Sequence, residues 1–162
     1  MDSYELAGVG VPGLHGTFHA IHIAKLAKPM AATKILKILL AEDDTDMRRF
    51  LVKALQTAGY YVISYDNGLS AYERLREEPF ELLLTDIVMP EMDGIELARR
   101  AAELDPDMKI MFITGFAAVA LNPDSAAPKQ AKVLSKPFHL RELVSEIGKM
   151  LAASAAAPGG YA

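Results

Sequence analysis

Five short apolar runs, at 35–41, 60–65, 80–85, 108–114 and 131–135, alternate with longer stretches in which apolar residues return every three or four positions. This alternation constrains the fold more than any other feature of the chain. A strand buried on both faces reads as a short continuous apolar run, and a helix lying on a sheet shows an apolar stripe of helical period. Run and stripe in turn mean repeated strand–helix units, and parallel strands joined by crossing helices make an open sheet. The expected fold is α/β: a five-stranded parallel sheet with helices on both faces, taken in the doubly wound order 2-1-3-4-5.

Local signals place the boundaries. The first run ends at Glu42-Asp43-Asp44, after which Met47, Phe50, Leu51, Ala54, Leu55 and Ala58 recur at helical spacing until Gly59. A second helix spans 68–77 and stops before Pro79, and Ile95, Leu97, Ala98, Ala101, Ala102 and Leu104 mark a third. Between 116 and 130, Pro123 and Pro128 remove two amide donors, so the fourth helix is expected to be short or broken. Leu140, Leu143, Val144, Ile147, Met150 and Leu151 give the last helix its stripe. Arg48 and Arg49 read as a solvated helix face.

The resulting organisation is an N-terminal extension over 1–34, disordered or partly helical, a domain over 35–151, and a flexible small-residue tail over 152–162. Met30, followed by Ala31, Ala32, Thr33 and Lys34, reads as the natural start of the chain. His15, His19 and His22 fall at helical spacing in the extension, but no carboxylate accompanies them, and they are not expected to hold a metal.

Composition excludes several function classes. The length of 162 residues, 51% of them hydrophobic, suits one domain with a real core. A formal charge of -4 gives no general attraction to phosphate backbones, so no DNA binding is expected. Without cysteine there is no disulfide framework or thiolate chemistry, and any metal must use oxygen or histidine ligands. No apolar stretch approaches the roughly 20 residues a spanning helix needs, which excludes a membrane-spanning helix and fits a cytoplasmic protein.

The polar residues that end the strands carry the chemistry. In an open parallel sheet, ligands bind outside the carboxyl ends of the strands where the strand order reverses. The first run ends in Glu42-Asp43, the third in Asp86, the fourth in Thr114 and the fifth in Lys136-Pro137. With order 2-1-3-4-5 the first and third strands are neighbours, so Glu42, Asp43 and Asp86 share one pocket. At about 4 Å and an effective dielectric near 20, each like-charged pair costs roughly 4 kcal/mol, more than one lysine offsets. A hard divalent cation is the natural remedy, and carboxylates with a backbone carbonyl and phosphoryl oxygens suit Mg²⁺. Thr114 can donate to a phosphoryl oxygen and Lys136 can pair with another, leaving Asp86 as the nucleophile of a phosphoryl transfer.

The motifs Leu39-Leu40-Ala41-Glu42-Asp43-Asp44, Leu84-Thr85-Asp86-Ile87-Val88-Met89-Pro90-Glu91-Met92-Asp93-Gly94, Ile113-Thr114-Gly115 and Ser135-Lys136-Pro137-Phe138 resemble those of two-component response regulator receiver domains, over 35 to about 151. The resemblance implies that Asp86 is the phosphoacceptor. It implies further that Asp43 ligates Mg²⁺ directly, Glu42 acts largely through water, and Val88 adds its backbone carbonyl. Thr114 and Lys136 would sense the phosphoryl group, and the Lys136–Pro137 bond would be cis. A histidine kinase or histidine phosphotransferase would be the donor, and the protein a monomer or weak dimer.

With no output domain after the last helix, the chain resembles the single-domain regulators. The stretches at 47–55, 113–123 and 132–140 are similar to those of the CpdR group of alphaproteobacterial cell-cycle regulators. That likeness implies a partner in the ClpXP protease and its substrates, with a phosphorelay switching the protein off. One position departs from the family pattern: Val133 stands where an aromatic usually turns inward as the threonine moves. A switch without that aromatic must reach the fourth helix and fifth strand by another route.

Two other functions compete. A Mg²⁺-dependent phosphatase or phosphotransferase of the haloacid-dehalogenase type needs a second acid two residues after its nucleophile, where this chain has Val88. A pseudo-receiver that only binds partners would have no need of Glu42, Asp43, Asp86, Thr114 and Lys136 together. The sequence favours a phosphorylation-switched regulator over an enzyme.

Overall fold

A computed structural model of the chain describes residues 34–155. Strands β1 (Lys37–Ala41), β2 (Tyr61–Tyr65), β3 (Leu82–Thr85), β4 (Lys109–Thr114) and β5 (Lys132–Ser135) alternate with helices α1 (Thr45–Thr57), α2 (Gly68–Glu77), α3 (Gly94–Leu104), α4 (Ala117–Leu121) and α5 (Leu140–Ala155). The strands form one parallel sheet in the expected order β2-β1-β3-β4-β5; the alternation accounts for the parallel pairing. The extension, its histidines and most of the tail lie outside the described residues.

Because side chains alternate across a strand, each central strand feeds two cores. Ile38 and Leu40 of β1, Leu82 and Leu84 of β3, and Met111 and Ile113 of β4 pack with Leu51 and Leu55 of α1 and Leu143, Ile147 and Leu151 of α5. Leu39, Leu83, Ile110 and Phe112 face the other way, against Ala71 and Leu75 of α2 and Leu97, Ala98 and Ala101 of α3. Helices thus cover both faces, and each fully buried leucine contributes on the order of 2 kcal/mol to holding them there. Phe50 is the exception on α1. Its spacing fits the apolar stripe, yet the ring is 54% exposed, and Leu51 and Leu55 alone among the helix residues are fully buried.

Helix starts and stops follow capping chemistry. The side chains of Asp44, Asn67 and Asp93 accept from the amides of Met47, Ser70 and Glu96, giving α1, α2 and α3 their N-caps. Gly59 takes φ +98° just past α1, a conformation other residues adopt at a cost. Pro123 holds Asn122 extended, with ψ 128°, and α4 stops there after five residues. α4 has no buried residue and no side-chain cap, so the shortening expected from the prolines is realised.

Candidate functional site

Strand register brings the polar strand ends together. Ala41 of β1 pairs with Thr85 of β3, so Glu42 and Asp86 leave the sheet side by side. Thr85 pairs in turn with Phe112, and β4 runs on to Thr114, whose partner Ser135 immediately precedes Lys136. Neighbouring strands lie about 4.8 Å apart. Residues separated by up to 94 positions in sequence therefore meet within one pocket.

Lys136 Nζ lies 2.9 Å from Asp86 Oδ2 and 3.0 Å from Glu42 Oε2. Asp43, exposed, completes a cluster in which one carboxylate oxygen from each of Glu42, Asp43 and Asp86 lies within 4.8 Å of the others. Three carboxylates thus face one ammonium. Burial pushes the Glu42 carboxyl above its ordinary range, and the nearby Asp86 charge adds to the rise, while the hydrogen bond and charge of Lys136 and the Asp44 amide pull it down. Burial acts downward on the Lys136 ammonium, but its hydrogen bonds to Asp86 and Glu42 and the charges behind them outweigh that and hold it above the usual lysine range. Hard oxygen donors with excess negative charge and no nitrogen or sulfur among them fit a divalent cation such as Mg²⁺.

The backbone fixes each member. Asp86 N–H donates to Ala41 O at 3.0 Å, continuing the ladder one residue past the strand, and Asp86 Oδ1 accepts from Ile87 N–H at 2.6 Å. Glu42 N–H donates to Tyr65 O at 3.0 Å, and Glu42 Oε1 accepts from Asp44 N–H at 3.2 Å. Thr114, fully buried, accepts the Phe116 amide on its hydroxyl at 3.0 Å and the Lys136 amide on its carbonyl at 2.9 Å. The Lys136–Pro137 bond is cis. Val88, two residues past Asp86, is 57% exposed and brings no polar side chain to the pocket.

Four contributors were not assigned to the site from sequence. Thr85, fully buried, donates its hydroxyl to Asp86 O at 2.7 Å, satisfying a carbonyl that has left the ladder. Gly94 N–H donates to Ile87 O at 2.7 Å, and a Cβ on Gly94 would overlap the carbonyl oxygen of Asp86, so only glycine allows this close approach. The Ile87 amide is invisible to any reading of side chains. Arg48, expected on a solvated face, is half-buried and donates from Nη1 to Glu42 O at 2.8 Å, whereas Arg49 is exposed.

Comparison with known proteins agrees with this geometry. Residues 38–148 match the model of the response regulator receiver domain. The chain is 81% identical over 118 residues to the response regulator receiver protein CpdR of Brucella abortus (strain 2308), covering 73% of this chain and 98% of that protein. A CheY-like receiver domain protein from Methanospirillum hungatei JF-1 is similar with a TM-score of 0.67 at 29% identity, over 75% of this chain and 98% of the other. The response regulator TrrA of Thermotoga maritima, solved in complex with Mg²⁺-BeF, is similar with a TM-score of 0.64 at 27% identity, over 72% of this chain and 99% of that one. Receiver domains bind Mg²⁺ at an acidic pocket, and Glu42, Asp43 and Asp86 make such a pocket here.

Proposed function

The chain belongs to the response regulator receiver family, and from that premise we propose that it accepts a phosphoryl group on Asp86 from a histidine kinase or histidine phosphotransferase and thereby controls a protein partner. The observation that carries the reading is Lys136 Nζ bridging Asp86 and Glu42 beside Asp43, at the carboxyl edge of the sheet. A carboxylate oxygen of Asp86 attacks phosphorus, the bond from phosphorus to the donor imidazole breaks, and its electron pair returns to the ring nitrogen. An acyl phosphate on Asp86 remains.

Each neighbour has a share in that step. The Ile87 amide and Lys136 hold the carboxylate by one oxygen each, which limits its rotation before attack. Lys136 pairs with a phosphoryl oxygen once Asp86 is phosphorylated, and the Thr114 hydroxyl donates to another. Glu42, Asp43, Asp86 and the Val88 carbonyl are the residues that would hold Mg²⁺. When bound, the ion neutralises phosphoryl charge and aligns donor and acceptor. Val88 in place of an acid leaves the site without a general acid/base for phosphomonoester turnover, which favours a regulator over a phosphatase.

The likeness to the Brucella CpdR protein supports a finer reading of the output. In that reading the unphosphorylated chain primes a ClpXP-type protease with its substrates in cell-cycle control, in the cytoplasm, and the phosphorelay switches it off. Capture on immobilised full-length chain tests it. Asp86→Ala is expected to retain the protease and its substrate as well as unphosphorylated wild type does, and phosphorylated wild type to lose them. Equal capture by both phosphorylation states would overturn the proposed switch.

A further inference from the structure

Arg48 lies one turn into α1, and its own amide donates to Asp44 O at 2.8 Å as part of the helix. Its side chain turns back toward the sheet, and Nη1 donates to the main-chain carbonyl of Glu42 at 2.8 Å. That carbonyl belongs to the peptide joining Glu42 to Asp43, two of the three acids of the pocket. The peptide is planar and has little freedom of its own. A planar guanidinium fixed at one side of it therefore sets the direction in which Asp43 leaves the strand.

Other contacts cover Glu42 but not Asp43. Glu42 is 1% exposed and held by Tyr65 O through its amide, by the Asp44 amide and by Lys136 through its carboxylate. Asp43 is exposed, and among the described residues no side-chain hydrogen bond of its own fixes its carboxylate within the cluster. Among the described residues, the hydrogen bond from Arg48 is the one that acts on the peptide from which Asp43 projects.

We infer that Arg48 is a positioning residue of the acidic pocket: by fixing the 42–43 peptide it holds the Asp43 carboxylate against Glu42 and Asp86, where the three can take a divalent cation. The inference rests on the reading of this pocket as a cation site. It makes a prediction of unusual sign. Removing a positive charge near three carboxylates should, on Coulomb grounds alone, tighten cation binding. Removing a positioning group should weaken it, as loss of groups that orient metal ligands does by about tenfold or more.

The test is calorimetric titration of Mg²⁺ alone into the full chain, with no phosphoryl donor, for wild type, Arg48→Met and Arg48→Gln, each also melted in the absence of metal. Both variants are expected to bind Mg²⁺ about tenfold more weakly than wild type while melting cooperatively. Unchanged affinity with a lowered melting temperature would make Arg48 merely structural, and tighter binding would make it merely electrostatic; either overturns the inference, as would failure of both variants to fold. If only one variant folds, its affinity decides. Wild type that shows no saturable Mg²⁺ binding would overturn the reading of the pocket itself, a result separate from any effect of Arg48.

Discussion

Lys136 and Asp86, fifty positions apart in sequence, meet through an Nζ to Oδ2 contact of 2.9 Å at the carboxyl edge of the sheet. The same ammonium serves Glu42, which is almost wholly buried, so one cation offsets two carboxylates that the fold withdraws from water. Removing one partner of such a group leaves uncompensated buried charge.

Lys136→Met is therefore expected to lower stability at pH 7 by about 2 kcal/mol, less than a fully buried pair would lose because the lysine keeps some solvent contact. Urea titration measures it. Since the pKa of Lys136 is raised on folding, wild type has this stabilisation in full below the ordinary lysine value of 10.5 and loses it as pH rises through the raised folded value. The variant should lack that alkaline decline. Glu42 is already raised and loses its cation in the variant, so the deficit should shrink as pH falls from 7 toward the ordinary glutamate value of 4.5.

A second pH window belongs to α3, where Glu96 bonds both Arg99 and Arg100. The bond to Arg99, and next that to Arg100, hold the Glu96 carboxyl down at about 2 against an ordinary 4.5. Its stabilisation is present above pH 4.5 and lost as pH falls from 4.5 to about 2. Glu96→Gln should have a lower urea midpoint than wild type at pH 7, and the two midpoints should converge near pH 2.

Gly94→Ala is expected to destabilise the chain by about 3 kcal/mol, because the added Cβ overlaps the carbonyl oxygen of Asp86 and the backbone of Ile87 must shift. The same shift is expected to move Asp86 relative to Lys136. Phosphoryl uptake should fall further than the loss of folded protein explains, when uptake and folded fraction are measured on the same sample.

Val88 is exposed beside the pocket and cannot hydrogen-bond a water approaching the acyl phosphate. Phosphorylated wild type is accordingly expected to be long-lived, and Val88→Asn to shorten its lifetime severalfold. Loss of phosphoprotein after removal of the donor measures both.

The strands were legible from period, and the members of the pocket followed once the doubly wound order 2-1-3-4-5 was taken. Apolar runs against helical stripes fix which segments are strands, and a parallel sheet with the first and third strands adjacent places Glu42 beside Asp86 before any distance is known. Main-chain partners were not legible. The amide of Ile87 and the carbonyls of Glu42 and Asp86 carry no residue identity, so the roles of Arg48, Thr85 and Gly94, each defined by such a group, emerge only in three dimensions. Phe50 misled for a related reason: helical spacing identifies a stripe but not its edge, and the sheet covers Leu51 and Leu55 while leaving that ring in solvent.

Val133 and the prolines bear on how a signal leaves the site. Val133 is half-buried against the core cluster that holds Phe112, and a cavity of about 250 Å³ lies between them and the 120–131 segment. The Phe116 amide, at the start of α4, is bonded to the Thr114 hydroxyl. Swinging the Thr114 oxygen itself toward a phosphoryl group would release Phe116 without any aromatic rotation, which agrees with a short α4 that has no buried residue of its own.

The central claim is that Asp86 is the phosphoacceptor, and the most direct measurement is the intact mass of the full chain after incubation with Mg²⁺ and a small acyl-phosphate donor. Wild type is predicted to gain a single phosphoryl group that is absent from Asp86→Asn and from wild type treated in excess chelator. Labelling that persists in Asp86→Asn, or multiple turnover of a phosphomonoester by wild type, would contradict the account.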